Sequence, residues 1–417
     1  MENESISDKN EGVQPMQIIQ VPESALTFVD IREDVHCARL PIAGCGWVDT
    51  DDGVVLIDTL LSIKAAAKTL EKIHETGGKV KYIIYTHGHL DHVGGCKAFM
   101  ADEPLEVPAN KYLPDRLDSY KMLAPHRARI AAQQFNLPEN RPRGGNWVYP
   151  TKTFLGEMTF TLGGKTFELH TARAETDDVC WVWIPEIKTA FLGDLLIRSF
   201  PNIGNPWKPT RFALGWAKTL EEVRAKKPEL VFGGGTNVAY EGEEVRAVLD
   251  ANIEAIRSLH DQVVDCINQD MHITEMIHQV KLPDHLKENP YLQSNYSRPE
   301  FFVFNVYRWY HGYFDHNPAN LLPRPEKEVK KEIFNLIGSA DKIIERAKEL
   351  ENQGQAQLGL QVLDVLIQAD PENIEARKLR IEILEKLGKD DYCLMSRNTW
   401  AYFIKKDREF LDSKGEA

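Results

Sequence analysis

The stretch Thr86-His87-Gly88-His89-Leu90-Asp91-His92-Val93-Gly94-Gly95 sets four potential metal ligands, His87, His89, Asp91 and His92, within six residues. It follows directly on KVKYIIYT (79–86), an apolar, β-branched run that reads as a buried strand. Imidazole and carboxylate groups hold zinc at about 2.0–2.2 Å, and a tight loop leaving a strand can aim alternate side chains at two neighbouring ions. His87 and His89 are expected on one ion, Asp91 and His92 on the other. The glycines at 88, 94 and 95 are expected to permit the loop's turns.

Outward from this loop, strands alternate with helices. GVVLIDT (53–59) is a second buried strand, and SIKAAAKTLEKIHETGG (62–78) has helical spacing closed by glycines. TFTLGGKTFELHT (159–171) predicts a hairpin turning at Gly163-Gly164, and VCWVWIPEIKTAFLGDLL (179–196) another turning at Pro185-Glu186. The pattern predicts an α/β sandwich with helices outside, over residues 25–245. Residues 1–24 are polar and are expected to form a disordered tail without a signal peptide. From 246 to 417 the chain is expected to be helical. Its segment QLGLQVLDVLIQADPENIEARKLRIEILEKLG (357–388) resembles one tetratricopeptide helix pair, a unit that must pack on the first domain or on a partner.

The 417 residues carry a formal net charge of −13, which argues against nucleic acid or an anionic membrane as the main partner. No stretch approaches the roughly 20 apolar residues of a membrane span. The six cysteines, at 37, 45, 96, 180, 266 and 393, form no CxxC pair; reduced thiols and a cytoplasmic location are expected.

HxHxDH after a buried strand resembles the signature of the metallo-β-lactamase superfamily, as does Asp58 at the end of VVLID. The resemblance implies an αββα sandwich, with Asp58 orienting a ligand imidazole from behind. It also implies further ligands. Glu175, in TARAETDD (171–178), stands where most members have histidine and is similar to the alkyl sulfatase branch; His170 is the alternative. Asp194, in FLGDLL (191–196), matches the aspartate that bridges two ions. In LVFGGGT (230–236) Gly234 takes the place of the last histidine ligand, so one tightly held zinc and a second weak position are expected. His260, His311 and His316 are unranked candidates to complete it.

Pro299-Glu300-Phe301, Tyr307-Arg308-Trp309-Tyr310 and Asp315-His316-Asn317-Pro318-Ala319-Asn320 resemble the alkyl sulfatase dimerisation region, implying an all-α dimerisation domain and a homodimer. The sterol-carrier-like domain of full-length alkyl sulfatases is not expected in this length. Asn205, Lys208 and Arg211, in the loop SFPNIGNPWKPTR (199–211), are polar groups suited to an anionic small-molecule substrate. The resulting expectation is a hydrolase of a sulfate ester or related anionic ester, using metal-activated water, with Asp91 and Asp194 as its catalytic carboxylates. Two alternatives stand beside it. A carboxylate-rich site also suits iron and redox or oxygen chemistry, and Gly234 would suit a degenerate, non-catalytic dimeric binding protein.

Overall fold

The computed structural model describes residues 23–76, 78–102, 105–139, 147–234, 239–389 and 391–416. One five-stranded sheet runs in the order β1 (Thr27–Arg32), β2 (Val35–Leu40), β3 (Ala43–Thr50), β4 (Gly53–Ile57), β5 (Val80–Ile84). The first four strands are antiparallel neighbours; β4 and β5 are parallel, joined across helix α1 (Ile63–Glu75). Ser62 starts that helix by accepting the Ala65 N–H at 3.1 Å. Its last residue is followed by Thr76 as cap, and the expected glycine cap at 77 lies outside the described residues.

Beyond the short helix α2 (Leu90–Val93) come the small parallel pair β6 (Pro108–Asn110) and β7 (Lys152–Phe154), with α3 (Leu113–Met122) and α4 (Ala124–Phe135) between them. The second large sheet contains β8 (Glu157–Leu162), β9 (Lys165–Ala172), β10 (Val179–Ile184), β11 (Thr189–Gly193), β12 (Leu230–Gly233) and β13 (Ala239–Glu241), in sequential spatial order. Helix α5 (Ala213–Ala225) carries the chain from β11 to its parallel neighbour β12. Both hairpins turn where the sequence places them.

Strand periodicity assembles these parts. In β4, Val55 and Ile57 face the second sheet while Val54 and Leu56 face α1; in β10, Cys180, Val182 and Ile184 face the first sheet while Val179, Trp181 and Trp183 face helices. Both faces of each sheet are covered, which is why these strands read as unbroken apolar runs. The architecture is the expected αββα sandwich followed by a helical region.

The helical region begins with α6 (Glu243–Asn268), whose first turn contains the expected 245/246 border. Its buried residues Val245, Val248, Leu249 and Ile253 share one apolar cluster with α5 and the second sheet. Then come α7 (Ile273–Gln279), α8 (Asp284–Lys287) and α9 (Pro299–Tyr310), the last adding Phe302, Val303 and Val306 to that cluster. Helices α10 (Glu326–Ile337), α11 (Ala340–Asn352), α12 (Ala356–Ala369), α13 (Ile374–Lys389) and α14 (Leu394–Lys414) complete the chain. The tetratricopeptide-like pair is α12–α13, extended on both sides by helices that pack in succession. It docks on the sandwich through α14 and α4, where Asn398 Nδ2 donates to Gln134 O at 2.9 Å.

Asp407 locks α13 to α14. It is fully buried and accepts from Arg377 Nη1 at 2.6 Å and from Arg380 Nε at 2.6 Å and Nη2 at 2.5 Å. Asp407→Ala should destabilise the helical array by about 3 kcal/mol, toward the low end for a broken buried pair because both arginines keep some contact with water. Denaturant unfolding checks this; an unchanged midpoint would show that the triad is only a surface ornament.

Candidate metal centre

The parallel pairs β4–β5 and β11–β12 all end at one edge of the sandwich, and the expected ligands gather there. After β5 the chain bends at Thr86 and Gly88, and this brings the rings of His87 and His89 together edge to face, with centroids 4.5 Å apart. His89 then opens α2 with extended backbone angles (φ −69°, ψ 150°), and Asp91 and His92 ride the first turn of that helix. A change from extended to helical backbone in mid-motif divides one hexapeptide between two positions.

Two groups of side chains offer ligand atoms close together. One is His87, His89, Glu175 and Asp194; the other is Asp91, His92 and Asp194. His87 Nε2 stands 2.8 Å from His89 Nδ1 and 3.1 Å from Glu175 Oε2, and His92 Nε2 stands 3.3 Å from Asp194 Oδ1 and 3.5 Å from Asp91 Oδ2. Asp194 belongs to both groups, as a bridging carboxylate must.

Hydrogen bonds behind the ligands fix which ring nitrogens are bare. Asp58 accepts from the Thr86 N–H at 2.8 Å, the Thr86 hydroxyl at 2.7 Å and His92 Nδ1 at 2.7 Å. His92 therefore keeps its proton on Nδ1 and turns a lone pair on Nε2 inward. Thr86, its hydrogen given to Asp58, accepts from His87 Nδ1 at 3.2 Å, which leaves His87 Nε2 bare as well.

A cation fits these donors. His92 Nε2, Glu175 Oε2 and Asp194 Oδ1 are buried and have no hydrogen-bond partner among the described residues. Such unpaired atoms, converging from three elements, cost free energy unless something positive satisfies them. Burial opposes a charge on His92, yet Asp58, Asp194 and Asp91 outweigh it and raise its pKa well above the ordinary imidazole value. Burial likewise pushes the Asp194 carboxyl up, aided by nearby Glu175. The donors are nitrogen and oxygen only, a set suited to zinc or another first-row ion.

The remaining expected residues fall in different places. Arg211, assigned by its sequence to an anionic substrate, is 3 % exposed and its Nη1 donates to Glu175 Oε1. A carboxylate buried this deeply needs a counter-charge; burial would raise Glu175, and Arg211 instead holds it well below the usual carboxylate range. Arg211 is itself gripped by α9: Asn305 Oδ1 accepts its backbone N–H at 2.7 Å, and Asn305 Nδ2 donates to its carbonyl at 2.9 Å. Asn205 caps Trp207 through Oδ1 at 2.9 Å, while its buried Nδ2 finds no partner among the described residues. Half-buried Lys208 lies near enough to His89 to depress its pKa, although burial is the larger cause.

His170 stacks on Trp181 in the second sheet, 3.3 Å from Glu157, and is outside both ligand groups. His260 pairs with the Tyr310 hydroxyl at 2.8 Å, and His311 pairs with His316. At Gly234, a Cβ would stand 2.3 Å from Asp194 Oδ1, so the backbone itself fills the place where a histidine side chain would begin. Gly94 and Gly95 lie in the turn after α2, as the sequence suggests, and glycine is needed there for close approach rather than for a positive φ. A Cβ at Gly95 would meet Thr59 O at 2.1 Å and one at Gly94 Leu61 O at 2.4 Å.

Three contributors escape sequence reasoning. Buried Asp178 accepts the Gly88 N–H at 2.8 Å and Arg116 Nε at 2.5 Å, which pins the loop between the first two histidines. Tyr296, in the segment before α9, is half-buried, with its hydroxyl accepting from Gln134 Nε2 at 3.3 Å. Burial, together with Asp91 and Asp194 nearby, pushes its phenol above the ordinary range, so it stays protonated. The Asp177-Asp178 pair beside Glu175 was the available signal for Asp178; nothing local marks Gln134 or Tyr296.

Asp58→Asn keeps the shape but offers an amide where His92 needs an acceptor. Metal affinity at the Asp91/His92 position should fall about 10–100-fold, with that at His87/His89 much less affected. Competition against a chromogenic chelator resolves the two, and equal losses at both would contradict this division. Gly95→Ala should cost about 1–3 kcal/mol of stability through backbone displacement, read as a lower denaturation midpoint.

Comparison with known proteins agrees with this geometry. Residues 43–235 match the metallo-beta-lactamase superfamily model, and residues 272–409 match the alkyl sulfatase dimerisation model. A linear primary-alkylsulfatase from a Pseudomonas strain is 24 % identical over 395 residues, covering 88 % of this chain and 74 % of that protein. An (R)-specific secondary-alkylsulfatase from Pseudomonas is 25 % identical over 410 residues, covering 89 % of this chain and 61 % of its own length. Among solved structures, the stereoselective inverting secondary alkylsulfatase Pisa1 from Pseudomonas superposes with a TM-score of 0.83 at 23 % identity, over 92 % of this chain and 65 % of that one. The chain thus spans about three-fifths to three-quarters of these curated relatives. With both domain types present in this order, the chain belongs to the metallo-β-lactamase superfamily, in the branch that carries an alkyl sulfatase dimerisation domain.

Proposed function

We propose that this protein is a metal-dependent hydrolase of a sulfate ester or a closely related anionic ester. The observation that carries the reading is the convergence of three buried, unpaired ligand atoms between two groups of ligands sharing Asp194. His87, His89, Glu175 and Asp194 would hold one zinc ion, and Asp91, His92 and Asp194 a second. Bound there, zinc lowers the pKa of water toward about 7 and offsets negative charge on the ester oxygens.

The chain's own groups supply the rest. Asp91 or Asp194 would take the proton that a metal-activated water gives up at this site. Arg211 keeps Glu175 ionised, so that this ligand does not protonate in its buried setting. Lys208, beside His89, and the unpaired Asn205 Nδ2 suit the anionic head. Tyr296 offers a neutral hydroxyl whose oxygen already accepts from Gln134, which leaves its hydrogen for an ester oxygen.

The second group has three ligands against four in the first, and the Gly234 backbone adds no side chain. This supports one tight and one labile ion. Dialysed protein should retain about one equivalent of zinc and release inorganic sulfate from primary or secondary alkyl sulfates only when zinc is added back. His87→Ala/His89→Ala should lower kcat at least 100-fold. A firm stoichiometry of two, or a visible iron chromophore with oxygen consumption and no sulfate release, would overturn the respective parts of the reading.

A homodimer fits the dimerisation domain and one exposed face. Helix α10 buries no residue fully, and Val329, Ile333 and Leu336, spaced for one helix face, are 39–88 % exposed, next to Leu322 at 84 %. The six cysteines are free and buried, which suits the proposed cytoplasmic location. Ile333→Glu/Leu336→Glu should halve the mass measured by light scattering; a wild-type monomer would remove the proposal.

A further inference from the structure

A second pair of histidines lies outside the centre described above. His311 caps the C-terminus of α9, and His316 follows in the next loop; their Nε2 atoms stand 2.9 Å apart. His311 Nδ1 faces the Gly312 carbonyl at 3.0 Å. A carbonyl only accepts, so Nδ1 carries the proton and Nε2 is a bare lone pair. His316 Nδ1 lies 3.5 Å from the exposed Asp270 carboxylate, an ion-pair contact; the tautomer with its proton on that side leaves a second bare Nε2. Two lone pairs directed at each other repel unless a cation lies between them.

Each ring therefore has the environment of a metal ligand: one nitrogen tied to a carbonyl or carboxylate, the other turned to a shared point. The spacing agrees. Two nitrogens each about 2.05 Å from one ion, at the right angle of the square-planar or tetragonal geometry of Cu²⁺ or Ni²⁺, are about 2.9 Å apart, and His87 and His89 in the main centre stand 2.8 Å apart. Tyr307 stacks under His311 with ring centroids 4.6 Å apart and fixes its plane. Asp270, Asp315 and His272 border the same cavity of about 50 Å³, large enough for water to complete the coordination. The C-terminal end of the twelve-residue α9 adds a favourable negative potential.

We propose that His311 and His316 form a separate binding site for a divalent first-row transition metal ion, with Asp270 orienting His316 and water supplying the other ligands. Imidazole pairs of this kind favour Cu²⁺, Ni²⁺ or Zn²⁺ over Mg²⁺ or Ca²⁺.

The test is a Cu²⁺ titration of the full-length chain carrying His87→Ala/His89→Ala, followed by electron paramagnetic resonance. It does not depend on the proposed hydrolysis. Adding His311→Ala/His316→Ala should remove one equivalent of bound Cu²⁺ and a signal split by two nitrogens. Asp270→Asn should weaken the same site about tenfold. In the chain with the main centre intact, His311→Ala/His316→Ala should leave basal turnover unchanged. Equal Cu²⁺ stoichiometry and spectra with and without the histidine pair would overturn the proposal and leave an ordinary imidazole–imidazole hydrogen bond.

Discussion

Carboxylates crowded at one edge of the sandwich must each find a positive or hydrogen-bonding partner, and much of the architecture follows from that constraint. Asp178 takes Arg116 and the Gly88 amide. Asp58 takes Thr86 twice and His92 once. Glu175 takes Arg211. Asp91 and Asp194 are left facing His92, with Asp194 Oδ1 buried and unpaired. An unpaired buried charge costs several kcal/mol, and Arg116, Thr86, His92 and Arg211 are each held by a second contact. Strand ends deliver Asp58, Glu175, Asp178 and Asp194 to one edge, and what neutralises them comes from the loops and helices around that edge.

This explains why the sandwich and the helical region share a core. Glu175 sits between β9 and β10, its partner Arg211 precedes α5, and the residue that fixes Arg211 is Asn305 on α9. Phe302, Val303 and Val306 on the same helix lie in the apolar cluster beneath. Electrostatic need and hydrophobic burial thus place the same helix in the same position.

The parts legible in the sequence were those encoded locally. Strand periodicity, the two hairpin turns and the hexapeptide with its strand are short-range signals, and the structure brings His87, His89, Asp91, His92, Glu175 and Asp194 together. The use of Arg211 was not legible, because a loop arginine near a site looks the same whether it meets a substrate or a buried glutamate. The choice depends on burial, which only the folded chain defines. The turn at Gly94 and Gly95 was legible, but the reason it needs glycine was not, because that reason is the close approach of Leu61 and Thr59, about thirty-five residues upstream. Tyr296 and Gln134 meet over 162 positions, a separation at which periodicity carries no information.

The grip of Asn305 on Arg211 has a consequence for how the molecule comes to be competent. The sandwich ligands are complete in sequence by Asp194, long before α9 is made. Until that helix docks, Arg211 lacks both Asn305 contacts and is held through the neighbouring Phe212 N–H to Ala174 O bond, so Glu175 faces burial with a less firmly placed counter-charge. The His87, His89 and Glu175 group therefore reaches its full set of supporting contacts only once the helical half has folded back onto the sheet. A nascent or partly unfolded chain would show the full motif and yet hold metal poorly, so that ion capture reports on completion of the whole fold.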